Sequence, residues 1–204
     1  MMKTRITLKR CLAALVGIFL IGLGVAFNAQ AQLGNDPVGI FYDGVRNTLG
    51  LTGEQLGSAS NVVNIAITVF LLFAARKLIS VGTLIYIILY GLFVNIGTWA
   101  YQTIFWNDAL PLRIVSVVIG CLSICFGVAI FIVTDIGVDP LTGLSLFIAE
   151  KLNWQYAKAK VLFDVSCTII GFVLGGKLGI ITLITSFAGG PIIQMFVNML
   201  KKRF

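Results

Sequence analysis

Leu33-Gly34-Asn35-Asp36-Pro37 returns as Ile136-Gly137-Val138-Asp139-Pro140, 103 residues further on (36 to 139). The same displacement carries Gly24 to Gly127, Asn61 to Asp164 and Asn64 to Cys167. After a gap of four residues, Gly91 pairs with Gly190 and Asn95 with Gln194. Each half therefore reads as one apolar run, a Gly-x-Asp-Pro motif, a short amphipathic stretch and two further apolar runs. Aspartate is a favoured helix N-cap and proline a favoured first helical residue. Gly34 and Gly137 permit the sharp turn before each pair. Short helices are predicted over 37–49 and 140–152, with Val38, Phe41, Tyr42, Val45 and Leu49 on one apolar face and Leu141, Leu144, Ile148 and Leu152 on the other.

The composition says where such a chain lives. Of 204 residues, 58% are apolar and 11% charged, against about 45–50% and about 25% in soluble domains. That leaves too few polar side chains to cover a globule, so the chain is an integral membrane protein. A spanning helix needs about 20 mainly apolar residues. Six stretches qualify: 10–31, 57–75, 79–101, 113–134, 159–176 and 178–200.

The fifteen basic residues set the expected orientation. With the N-terminus in the cytoplasm, the inner side collects Lys3, Arg5, Lys9, Arg10, Arg76, Lys77, Lys151, Lys158, Lys160, Lys201, Lys202 and Arg203. The outer side keeps Arg46, Arg113 and Lys177. Trp99, Tyr101 and Trp106 sit where the third span leaves the outer interface, as an aromatic belt does. Both termini are thus expected in the cytoplasm of a bacterial inner-membrane, multi-pass protein. The net charge of +7 is topological, with no basic stripe interleaved with aromatics to suggest nucleic acid. The start also reads as a secretory signal ending in Ala29-Gln30-Ala31. The repeat argues for retention, because 10–31 is the counterpart of the internal span 113–134.

Three spans per repeat is an odd number, so the second copy enters the membrane upside down. The expected fold is all-α, a single polytopic domain over 1–204. Six transmembrane helices form two inverted three-helix repeats, about 10–101 and 113–200, each with a short amphipathic or re-entrant helix. Secondary transporters recur to this plan and bind at the repeat interface near the midplane; channels with half-helices share it, and a merely stable bundle is the plain alternative. The duplicated motif resembles the YczE/YyaS/YitT family of small bacterial integral membrane proteins. That resemblance implies a membrane location and no settled chemistry.

The chain has no histidine, so a Ser-His-Asp or Cys-His site is impossible and no enzyme is expected. Cys11, Cys121, Cys125 and Cys167 fall inside apolar runs without a C-x-x-C pair, which points to packing rather than to a metal site. No cofactor or metal is expected.

The candidate substrate path is Asp36, Pro37, Asp139, Pro140 and Asp164, with Asn61, Asn64, Asn95 and Gln194. Two readings of the Asp-Pro helices stand open: flat interfacial helices capped by aspartate, or re-entrant half-helices whose N-termini face a shared cavity. Asp164 is the sole acid within a span. An ionised carboxylate at the bilayer centre costs about 2.5–3.5 kcal/mol, so it either serves function or pairs with Lys160 one turn away. The amides either line the path or hydrogen-bond between helices. Gly171, Gly175 and Gly179 suit close helix approach, with homodimerisation as a second use, and Pro191 is expected to kink the last span. The partners are the lipid bilayer and a small solute or ion. A non-transporting regulator or assembly partner of another complex is the alternative function.

Overall fold

The computed structural model describes residues 7–105 and 109–201; Lys3, Arg5, Trp106, Lys202 and Arg203 lie outside them. Eight α-helices follow in order: α1 Leu8–Ala31, α2 Pro37–Thr48, α3 Leu56–Ala74, α4 Val81–Ile104, α5 Leu110–Thr134, α6 Pro140–Leu152, α7 Tyr156–Val173 and α8 Ile180–Leu200. Among the described residues there is no strand. Four of the helices, α1, α3, α4 and α5, are long and apolar enough to cross a membrane. The remaining two predicted spans are also helical, as α7, which carries Lys158, Lys160 and Asp164, and α8.

The centre of the fold is the crossing of α1 with α5. Gly17 packs on Gly127 and Gly24 on Gly120, so one index rises as the other falls and the helices run antiparallel. Glycine at each contact lets backbone meet backbone. Arg10, in the first turn of α1, donates to the last carbonyl of α5 at Thr134, 3.2 Å away. Arg113, near the start of α5, donates to the last carbonyl of α1 at Ala31, 2.7 Å away. Each helix end that would leave its carbonyls unpaired is thereby met by the partner helix.

Gly22 packs on Phe93 and Val94, and Gly97 on Leu23 and Ala26, so α4 runs the same way as α1. α3 runs the opposite way to α4, clasped by two reciprocal bonds. The Asn95 side chain accepts from the Gly57 amide at 3.0 Å, and the Asn61 side chain from the Gly91 amide at 3.0 Å. α8 lies on α5, with Phe126 edge-on to Phe196 at 5.2 Å. Pro191 is inside α8, which continues through it to Leu200.

The short helices enter the bundle. Tyr42, midway along α2, is wholly buried and reaches Asn64, midway along α3. The end of α2 meets the turn after α7, where the Asn47 amide donates to the Gly175 carbonyl at 2.6 Å. α6 packs on α3 through Gly143 against Leu71 and Phe147 against Phe70, and its last turn pairs Glu150 with Lys77 at 3.0 Å. The apolar faces read from the sequence hold in part: Tyr42 midway along α2 and Leu141 at the start of α6 are buried, whereas Leu49 and Leu152 at the far ends are about half exposed.

Asp43 and Arg46 pair at 2.9 Å, both mostly buried; Arg46 also donates to the Leu51 carbonyl, and Asp43 accepts from the Lys177 amide. Gly171 of α7 packs against Ile40, and Gly179, just before α8, against Leu33, so both serve contacts within the chain.

Candidate functional site

The two Asp-Pro corners are built alike and finished differently. In the first, Gly34 takes a positive φ of 106° and the Leu33 carbonyl accepts from Ile181 in the first turn of α8. In the second, Gly137 takes φ 151° and the Ile136 carbonyl accepts from Gly82 in the first turn of α4 at 3.2 Å. The Thr83 hydroxyl adds a bond to the Val138 carbonyl at 2.6 Å. Each corner is thus pinned by the final helix of the other half. Pro37 and Pro140 are buried and begin their helices as predicted.

Asp139 caps α6 as its residue type predicts, accepting from the Leu141 and Thr142 amides at 3.1 and 3.0 Å. Asp36 stands at the same position of α2 but makes no side-chain cap. Its own amide is bonded by the Asn35 side chain at 2.9 Å. Asp36 Oδ1 is buried and has no hydrogen-bond partner among the described residues; the same holds for Asn35 Nδ2 and Asn64 Nδ2. Leaving a buried polar group unpaired costs about 1–3 kcal/mol, more when it is charged. Three such atoms at and near one corner are therefore a feature to explain.

Three buried tyrosines of α2 and α4 pack together. Tyr42 of α2 donates its hydroxyl to Asn64 Oδ1 at 3.2 Å. Tyr86 and Tyr90 of α4 stack one turn apart at 4.7 Å between centroids, and Tyr42 tilts against Tyr90 at 5.9 Å. Tyr86 also meets Phe131 of α5 at 5.8 Å. Both Asp36 and Asp139 lie within electrostatic reach of Tyr42, Tyr86 and Tyr90. A hydroxyl in an apolar core needs a partner, and that of Tyr42 has one in Asn64.

Asp164 of α7 forms an ion pair with Lys160, whose ammonium also sits over the Phe163 ring at 5.5 Å. Asp36 lies within electrostatic reach of both partners, and Lys160 within reach of Asp139. Of the two readings of Asp164 made from the sequence, the pairing with Lys160 one turn away is the one the structure displays.

Asp36, Pro37, Asp139, Pro140, Asp164 and Asn64 are gathered here. Asn61 and Asn95 are instead on the α3–α4 seam. Gln194 is exposed on α8 and donates to Asn198 at 2.9 Å. The sequence reading took Tyr42 only as part of an apolar face and passed over Tyr86, Tyr90 and Asn35. The signal was present: two tyrosines four apart share one face of a helix, and a hydroxyl inside an apolar span calls for a polar neighbour.

Residues 8–198 match a protein family described as a family of unknown function, DUF6198. An uncharacterised protein of Haemophilus influenzae is 26% identical over 189 residues, covering 92% of this chain and 83% of its own. The uncharacterised protein YyaS of Bacillus subtilis is 22% identical over 189 residues, covering 93% of this chain and 92% of its own. No solved structure matches the chain.

Proposed function

The chain belongs to this family of unknown function, and from its geometry we propose that it is a small membrane transporter or channel whose polar path runs between two inverted halves. The observation that carries the reading is the pair of Asp-Pro corners, each bonded to the final helix of the other half, with the Lys160–Asp164 ion pair on α7, the helix that packs on both α2 and α6. Charged groups are kept inside membrane proteins where they face a pathway or a partner within the bundle. Two half-length helices starting there, each after an irregular turn, are the recurring construction of transporter sites.

The inverted repeat is supported by contacts that survive exchange of the halves. Arg10–Thr134 becomes Arg113–Ala31, and Gly17–Gly127 becomes Gly120–Gly24, under the displacement of 103. The corner bond Gly82–Ile136 exchanges with Ile181–Leu33, Leu33 and Ile136 by the same displacement and Gly82 and Ile181 by 99, past the four-residue gap. Six spans, α1, α3, α4, α5, α7 and α8, follow from this symmetry, with α2 and α6 as the re-entrant helices. The bias of basic residues puts both termini on the cytoplasmic side of a bacterial inner membrane.

The test is flux. Purified protein in liposomes loaded with a pH-sensitive dye is challenged in turn with ammonium, potassium and acetate salts. At least one salt should give a change in internal pH or volume above that of empty liposomes, and Asp164→Asn should lose it while remaining folded. Vesicles indistinguishable from empty ones with all three would reject the reading in favour of a regulator or assembly partner.

A further inference from the structure

A cavity of about 530 Å³ opens between the turn that joins α3 to α4 and the last turn of α6, and it shares no residue with the Asp-Pro corners. Its volume is in the range of small-ligand sites, about 300–1,000 Å³. Arg76 and Lys77 of the turn face it together with Glu150 and Lys151 of α6, beside the apolar Ala74 and Phe147. Three cations thus share the space with one carboxylate. Lys77 is taken up by Glu150 at 3.0 Å, a bridge that ties the turn to α6. Arg76 and Lys151 have no acidic partner among the described residues, and the Lys151 ammonium sits over the Phe147 ring at 5.8 Å. The carbonyl end of α6 offsets roughly half a positive charge at most, so the cavity stays positive. An excess of basic residues that only sets topology does not need cations of two separate elements to converge on one space.

The approach to the cavity selects the kind of anion. Val62, Ala66, Phe70 and Ala74 recur every fourth residue of α3 and are all exposed, which makes them one apolar row on that helix. The row runs into the cavity: Ala74 lines it, and Phe70 meets Phe147 edge-on at 5.5 Å. Both α3 and α4 are long and apolar enough to cross a membrane; as spans, they put the turn between them at the membrane surface. A phosphate group at that level would meet the guanidinium and the ammonium in charge-assisted hydrogen bonds, with hydrocarbon below it against the row.

We propose that this cavity holds the headgroup of an anionic phospholipid, with Arg76 and Lys151 donating to its phosphate and an acyl chain lying along the Val62–Ala74 row of α3. Basic pockets between membrane helices are a recurring form of headgroup site. A free phosphate would satisfy the cations and leave the apolar row unused, whereas a lipid engages both. The bound lipid bridges the α3–α4 turn and α6, and so stabilises the fold whether or not the chain carries a solute.

The experiment follows the melting temperature of the full chain in neutral detergent as dioleoylphosphatidylglycerol, dioleoylphosphatidylcholine or inorganic phosphate is added at one ionic strength. Native mass spectrometry reports the lipid retained. Phosphatidylglycerol should raise the melting temperature saturably and stay bound, and the other two should do neither. Arg76→Gln combined with Lys151→Gln should weaken the binding tenfold or more. Lys158→Gln combined with Lys201→Gln removes the same charge elsewhere and should leave it unchanged. Glu150→Gln should strengthen binding, because it frees Lys77 and removes the one carboxylate of the cavity. Equal stabilisation by phosphatidylcholine, an equal loss in the charge-matched control, or no saturable binding would overturn the proposal. Equal stabilisation by phosphate would overturn it in favour of a free anion. The comparison of the three additives on the unaltered chain needs no variant to fold. Lipid binding and solute flux are separate readouts, so the failure of one is distinguishable from the failure of the other.

Discussion

Gly17 and Gly127 meet backbone to backbone: a Cβ on Gly17 would stand 2.8 Å from the Gly127 carbonyl oxygen, and one on Gly127 would stand 2.6 Å from that of Gly17. The contact is reciprocal, and the glycines at Gly24 and Gly120 repeat it on the other side of the crossing. Because the neighbour is a helix carbonyl rather than a flexible side chain, nothing local can move aside.

Gly127→Val should therefore force α1 and α5 apart. Overpacking of this kind costs about 1–3 kcal/mol, and a rigid backbone neighbour puts the cost toward the upper end. The melting temperature in detergent should fall clearly for Gly127→Val. It should hold or rise for Gly189→Ala, where an added Cβ meets nothing within 4 Å and alanine is the better helix former.

The corner aspartates should respond oppositely to neutral replacement. Asp139→Ala removes a cap bonded to two amides and should destabilise by about 1 kcal/mol. Asp36→Asn removes an unpaired buried carboxylate oxygen and should leave stability unchanged or raised. Chemical or thermal unfolding of the two variants side by side checks this; equal losses would mean that Asp36 is an ordinary cap.

Asn61→Ala and Asn95→Ala each remove one interhelical bond of the α3–α4 clasp. Such bonds average about 0.6 kcal/mol in membrane proteins. A small fall in melting temperature is expected for each, with no change in solute selectivity. A selectivity change without a stability change would return these amides to the path.

Lys160→Met strands the Asp164 carboxylate, and Asp164→Leu strands the ammonium. Removing one partner of an ion pair held away from water costs more than removing both. The double variant should accordingly be more stable than the less stable single one, as a double-mutant cycle on melting temperatures would report. Additive losses would show that the two side chains are independently solvated.

Much of the helix layout was legible because a membrane helix is a local property. An apolar run of about 20 residues and its flanking charges specify it without reference to distant sequence. The expected run 113–134 is α5 over 110–134, and 57–75 is α3 over 56–74. Asp-Pro after glycine marked the starts of α2 and α6 for the same reason, since capping acts within four residues. The site was half legible. Asp36, Asp139, Asp164 and Asn64 were found from charge, polarity and repeat position, whereas Tyr42, Tyr86 and Tyr90 looked like ordinary apolar-face residues.

By itself, then, the sequence determined helices, their starts, the repeated motif and a membrane habitat, all of which follow from interactions between near neighbours. Only the tertiary structure decided that Asp139 caps its helix while Asp36 does not, that Asn61 and Asn95 close a seam, and that Asp164 pairs with Lys160. These outcomes depend on which polar atom stands within about 3 Å, the range of a hydrogen bond. Two halves with nearly the same motif can be told apart only by that.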